Sequence, residues 1–167
     1  MDTGYVQTLY KYNRWANGQT LESVARLSAE EFTKERGGSF SSIRDTLCHI
    51  LSAERVWLSR WKGHSPSQRL NPREFPTVAS LQTQWAAQDK EMDDFLRGLT
   101  NERLQTVIRY TNMQQQSSAQ PLWQQMAHLV NHSSYHRGQI TCLLRQAGAQ
   151  PVSTDLIVFF RNQPSQP

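Results

Sequence analysis

Two histidines stand four residues apart, His132 and His136, in the segment NHSSYHRGQI (131–140) of this 167-residue chain. Side chains at that spacing share one face of a helix, one turn apart. A third, His49, lies within SSIRDTLCHILSAERVWLSRW (41–61). Three imidazole nitrogens aimed at one point would hold a cation such as Zn, Ni or Fe and leave at least one position for water or a substrate. Spacing alone does not decide for that arrangement. Separate histidines, each bonded to a carbonyl or a carboxylate inside an ordinary core, account for the pattern equally well.

Apolar periodicity identifies the elements that must position these rings. Projected at about 100° per residue, a helix from Pro121 to Ala147 carries Leu122, Met126, Leu129, Ile140, Leu143 and Leu144 on one face. His136 falls in that face, His132 near its edge, and His128 further round toward solvent; His64, in a loop, also reads as a surface residue. On the helix over 41–61, His49 sits at the edge of a face centred between Ile50 and Trp57, and small Ala53 leaves room beside it. Antiparallel neighbours would bring that edge against the one carrying His132. Gln139 projects from the same side as His132, placed to hydrogen-bond a ligand. Glu54 and Arg137 fall inside apolar faces, where a charge is tolerable only when paired. They are expected to pair across the two helices, and no general base is assigned. Cys48 and Cys142, inside apolar patterns, read as small buried hydrophobes.

The remaining elements follow the same signals. A first helix is predicted from Tyr5 to Leu27, followed by a short turn capped by Ser28, with Glu31 three residues on. RGGSF (36–40) breaks the pattern, and Ser41 or Ser42 caps the second helix, with Asp45 near its positive end. GHSPSQRLNPREFP (63–76) is a loop, and a third helix runs from Thr77, its cap, to Leu99. LQTVIRYTN (104–112) alternates like a strand and suggests a small hairpin; MQQQSSAQ (113–120) reads as a loop. Pro121 suits the first position of the last helix and Gly148 its stop. The apolar patch Leu156–Phe160 is expected to pack back on the helices. The sum is an all-α chain: an antiparallel four-helix bundle with a short irregular or hairpin excursion before the last helix, in one domain over 1–167.

Composition narrows the function classes. Five Trp, five Tyr and six Phe supply a core and exclude a disordered chain. The net charge of +4 is dispersed; its densest cluster, RWKGHSPSQR (60–69), lacks the continuous basic stripe of a nucleic-acid footprint, so no nucleic-acid partner is expected. No stretch approaches the roughly 18 consecutive apolar residues of a membrane span, and no secretory signal opens the chain. With only two isolated cysteines, a reducing cytoplasm is the expected location, without a membrane partner.

RWANGQTLESV (14–24), SFSSIRDTLCHILSAERVWLSRW (39–61) and LVNHSSYHRGQITCLLRQAGAQPVSTDLIVFF (129–160) together resemble the DinB family, the DinB/YfiT-like metalloenzymes, in order and spacing. The likeness covers most of the chain and is most specific in NHSSYHRGQI. It implies a four-helix bundle with a divalent metal, Zn or Ni foremost and Fe or Mn as alternatives, held by His49, His132 and His136. The better-understood relatives are similar to transferases and isomerases that use low-molecular-weight thiols such as bacillithiol, mycothiol or glutathione. The expected function is therefore a metal-dependent S-transferase acting on a small-molecule substrate with such a thiol. A metal-dependent hydrolase and a non-catalytic, stress-related metal-binding protein are the alternatives, and the resemblance leaves room for a homodimer.

Overall fold

The computed structural model describes residues 1–163. The chain is mostly helical, in the order α1 (Thr3–Val24), α2 (Ala29–Thr33), α3 (Ile43–Trp61), a 3₁₀ turn (Pro72–Glu74), α4 (Val78–Arg97), α5 (Asn101–Gln105), β1 (Val107–Thr111), β2 (Ser117–Pro121), α6 (Leu122–Gln146) and α7 (Leu156–Arg161). None of these helices is long and apolar enough to cross a membrane.

The helix ends sit where short polar side chains can satisfy the first free N–H groups. Ser28 Oγ accepts from the Glu31 N–H and Ser42 Oγ from the Asp45 N–H. Thr77 and Ser80 form a reciprocal capping box at the start of α4. Pro121 stands one residue earlier than expected, as the N-cap of α6 and the last residue of β2. The expected hairpin is present, with Val107 opposite Pro121 and Thr111 opposite Ser117. Its second strand takes up residues 117–120, which read as loop in the sequence; SSAQ has no β-branched or aromatic residue, and pairing to β1 alone makes it a strand.

Apolar side chains gather in two clusters at different heights along the long helices. One holds Tyr10, Leu58, Trp61, Met92, Leu96, Leu122 and Met126; the other holds Leu21, Leu47, Leu51, Leu81, Trp85, Ile140 and Leu144. Each such residue contributes about 1.5–3 kcal/mol by leaving water. Along the chain, α1 and α6 run from the first cluster to the second, whereas α3 and α4 both run from the second to the first. Helices α3 and α4 are thus parallel, and the Pro-rich segment 62–77 must cross back over the length of the fold. The antiparallel expectation holds for α3 against α6 and fails for this consecutive pair, because a long connection permits either direction. The tail packs back as expected: Phe159 on α7 is 4% exposed and meets Tyr12 and Trp15 of α1.

Between the two apolar clusters lies a layer of buried polar residues. Arg137 Nη1 donates to Asn13 Oδ1 and Asn17 Oδ1, both at 2.8 Å. The amide nitrogens of the same two asparagines donate to Glu54 Oε1 at 2.8 and 2.9 Å, and Trp85 Nε1 donates to Oε2 at 2.9 Å. The expected direct pairing of Glu54 with Arg137 across α3 and α6 is not formed among the described residues; Asn13 and Asn17 of α1 stand between the two charges and bond to both. Cys48 is buried as expected; Cys142 is exposed, on the outer face of α6.

Candidate metal centre

His49 of α3 and His132 and His136 of α6 meet at the height of the polar layer, where α3 and α6 pack together. Each offers a ring nitrogen, and the three lie within 4.8 Å of one another. His49 Nε2 and His132 Nε2 face each other at 2.9 Å. Nitrogens of a tetrahedral site stand about 3.3 Å apart when each is about 2 Å from the ion, so the spacing fits a divalent cation with little movement.

The surroundings prepare the rings for that use. Gln139 Nε2 donates to Ser39 Oγ at 3.0 Å, which turns its Oε1 toward His136 Nδ1, 2.8 Å away. His136 must then carry its proton on Nδ1, leaving Nε2 with a free lone pair. Gln139 serves His136 and not His132, although the sequence placed it on the latter's side. Phe40 stacks on His49 with ring centroids 4.2 Å apart and meets His136 edge-on at 5.5 Å. It is carried by a loop whose Gly37 and Gly38 adopt φ of 77° and 105°, a region that disfavours any side chain. Burial first, then neighbouring positive charge, hold the unliganded imidazoles of His49 and His132 down to about 4 and about 3. Neutral imidazole is the form that binds metal, so protons compete weakly here at neutral pH.

A cleft of about 250 Å³ opens beside His49 and His132, walled by α3, the 62–77 connection and the hairpin. His128 is exposed, as the wheel placed it, yet it lines this cleft and packs against Trp57 and His132. The fourfold repeat 128, 132, 136 was the available signal that all three share one stripe of α6. Arg60, Arg69 and Tyr110 also line the cleft; the two arginines end the basic cluster 60–69, which the sequence reads only as a dispersed charge, because the 62–77 segment and the hairpin bring Arg69 and Tyr110 in from a distance. His64 is exposed and does not line this cleft. Glu54 does not either, so the only acid near this height of α3 faces the polar layer.

A model of the DinB family matches residues 1–166. The chain belongs to the DinB family. It is also similar to protein DinB of Bacillus subtilis (strain 168), with 31% identity over 157 aligned residues covering 88% of each chain. Its fold is similar to that of a DinB-like protein from Bacillus cereus ATCC 10987, known from a crystal structure, with a TM-score of 0.66, 20% identity, and coverage of 84% of this chain and 91% of that one. In this DinB-family chain the three-histidine cluster fits a divalent metal ion.

Proposed function

We propose that this DinB-family chain is a single-domain four-helix bundle, with 62–77 as its crossover, whose His49, His132 and His136 hold a divalent ion for a thiol S-transferase reaction. The convergence of three ring nitrogens within 4.8 Å carries the reading. Such neutral nitrogen donors suit Zn or Ni best, with Fe or Mn as further candidates. His49, His132 and His136 would hold the ion, which would supply acidification of a low-molecular-weight thiol; the resulting thiolate would form the new carbon–sulfur bond as the electrophile's leaving group departs and takes up the released proton.

The chain's own residues supply the rest. Gln139 and Ser39 fix the His136 ring, Phe40 shields the His49 ring from water, and the cleft gives a small molecule access from the hairpin side. That open access favours an enzyme over a purely metal-storing or stress-related protein. Water in place of the thiol would make the same site a hydrolase. A homodimer would bury exposed Tyr135 or Ile157, and light scattering reads it directly.

The test is metal analysis of the purified protein beside His49→Ala, His132→Ala and His136→Ala. Each variant is expected to lose most of its metal, and wild-type content in all three would overturn the site. Turnover of an electrophile that persists without any thiol would replace the transferase by the hydrolase.

A further inference from the structure

The cleft beside the three histidines is unbalanced in charge. Arg60 and Arg69 both line it, and no aspartate or glutamate does. Neither arginine forms an ion pair among the described residues. Arg60 is 6% exposed, with its guanidinium carbon 4.6 Å from the Trp57 ring centroid and 4.5 Å from that of Tyr110. Its Nη2 donates to the Thr111 carbonyl at 3.3 Å, while its Nε is buried without a partner. Cation–π contacts recover part of the cost of burying this charge, but they leave N–H donors without an anion. Arg69 is exposed at the rim, near enough for its charge to weigh on Arg60, His49 and His132 alike. A divalent ion on three neutral imidazoles would add two more positive charges with nothing acidic to offset them.

We propose that the cleft binds a small organic carboxylate, its anionic end held by Arg60 and Arg69 and its other end directed to the three histidines. Only the second clause rests on the metal reading. A carboxylate suits the planar guanidinium fork, and the walls formed by Ala53, Val56, Trp57 and Met113 suit an organic body better than inorganic phosphate. In the reaction proposed above, either the thiol or the electrophile would bear this group.

Cobalt-loaded protein titrated with 3-mercaptopropionate and with its uncharged amide tests this, read through the sulfur-to-cobalt absorption band. A charge-assisted contact corresponds to about tenfold to a hundredfold in affinity, so the acid should bind at least about tenfold more tightly than the amide. That preference should shrink to threefold or less in Arg69→Gln, a rim substitution that leaves the core intact, and in Arg60→Lys where it folds. Equal affinities for acid and amide would overturn the proposal, as would an unchanged preference in Arg69→Gln. Inorganic phosphate competing as strongly as propionate would overturn the carboxylate assignment. If no cobalt binds, the metal reading fails separately; the same acid and amide are then titrated into the metal-free protein while following the Arg60 Nε–H resonance. A shift with the acid alone supports the anion site, and no shift overturns it.

Discussion

Replacing Glu54 by Gln tests how the buried charge in the polar layer is balanced. Burial, and after it the negative charge of Asp89, push the Glu54 carboxyl from 4.5 up to about 7, against the Asn17, Trp85 and Asn13 donors, all of which favour the ionised form. A carboxyl with a higher value in the native state than in the unfolded one holds its proton longer when folded. Stability from this group is therefore full below 4.5, falls as pH rises to about 7, and stays level above. The gap corresponds to about 3 kcal/mol. Glutamine resembles the protonated acid and does not titrate. The unfolding free energy of Glu54→Gln relative to wild type should thus move in the variant's favour by about 3 kcal/mol between pH 4.5 and pH 8. A constant penalty of about 1–3 kcal/mol, from an amide NH₂ facing one of the three N–H donors, shifts the whole curve and leaves its slope alone. Urea unfolding of both proteins across that range is the assay, and groups present in both, His49 and His132 included, cancel in the difference. Arg137 acts the other way, through Asn13 and Asn17, by favouring the carboxylate. A difference constant within about 0.5 kcal/mol would refute the reasoning and show that Arg137, not burial, sets the charge of Glu54.

Gln139→Leu removes the acceptor that fixes the His136 tautomer and should weaken metal binding about tenfold to a hundredfold, measured by chelator competition. In metal-free protein, His49 and His132 take up protons only near pH 4 and 3, whereas the unfolded chain does so near 6.5. Stability is then full above 6.5 and declines as pH falls toward 4 and 3, which urea midpoints at pH 7 and pH 5 will show; partial solvation of both rings softens the decline. Adding Zn at pH 7.5 should raise the melting temperature and excess chelator should reverse it, an effect expected to vanish in His132→Ala. Phe159→Ala should cost about 3–5 kcal/mol in denaturant unfolding, because the ring fills the junction of α7 with Tyr12 and Trp15.

The long helices and the shared face of His132 and His136 were legible because both depend on local spacing: apolar residues at three and four positions mark a buried face, and the two histidines ride on one; that His49 joins them was implied by the resemblance to the DinB family. The direction of α4 was not legible, since a connection as long as 62–77 fits either sense. Asn13 and Asn17 read as ordinary polar residues, and only the packing of α1 against α6, with Glu54 of α3 reaching into the same layer, reveals them as the bridge between Glu54 and Arg137. Arg60 and Arg69 escaped for a similar reason: Trp57 lies three residues from Arg60 on α3, but Tyr110 and the cleft wall that give the pair a common site come from elements distant in sequence. Cys142 was misplaced because it falls close to the apolar stripe of α6 but on its outer side.

The hairpin carries a consequence of its own. Its tip, Asn112, Met113 and Gln114, forms the wall of the cleft opposite the helices, with Gln115 in the left-handed conformation at φ 62°. Buried Gln125 tethers the strands by donating to the carbonyls of Ile108 and Gln120 at 3.0 and 2.9 Å, and it accepts from Trp61. The cleft thus has two kinds of wall: α3 and α6, which also carry the three histidines, and a hairpin tip that stands apart from those helices. Residues 112–116 join the strands beyond the pair Ile108 and Gln120 that Gln125 fastens, so substitutions there are expected to alter the cleft wall before they alter α3 or α6. A change in the cleft's outer wall can thus begin at a five-residue turn, while Ala53, Trp57 and Arg60 keep the helical wall on the same helix as His49.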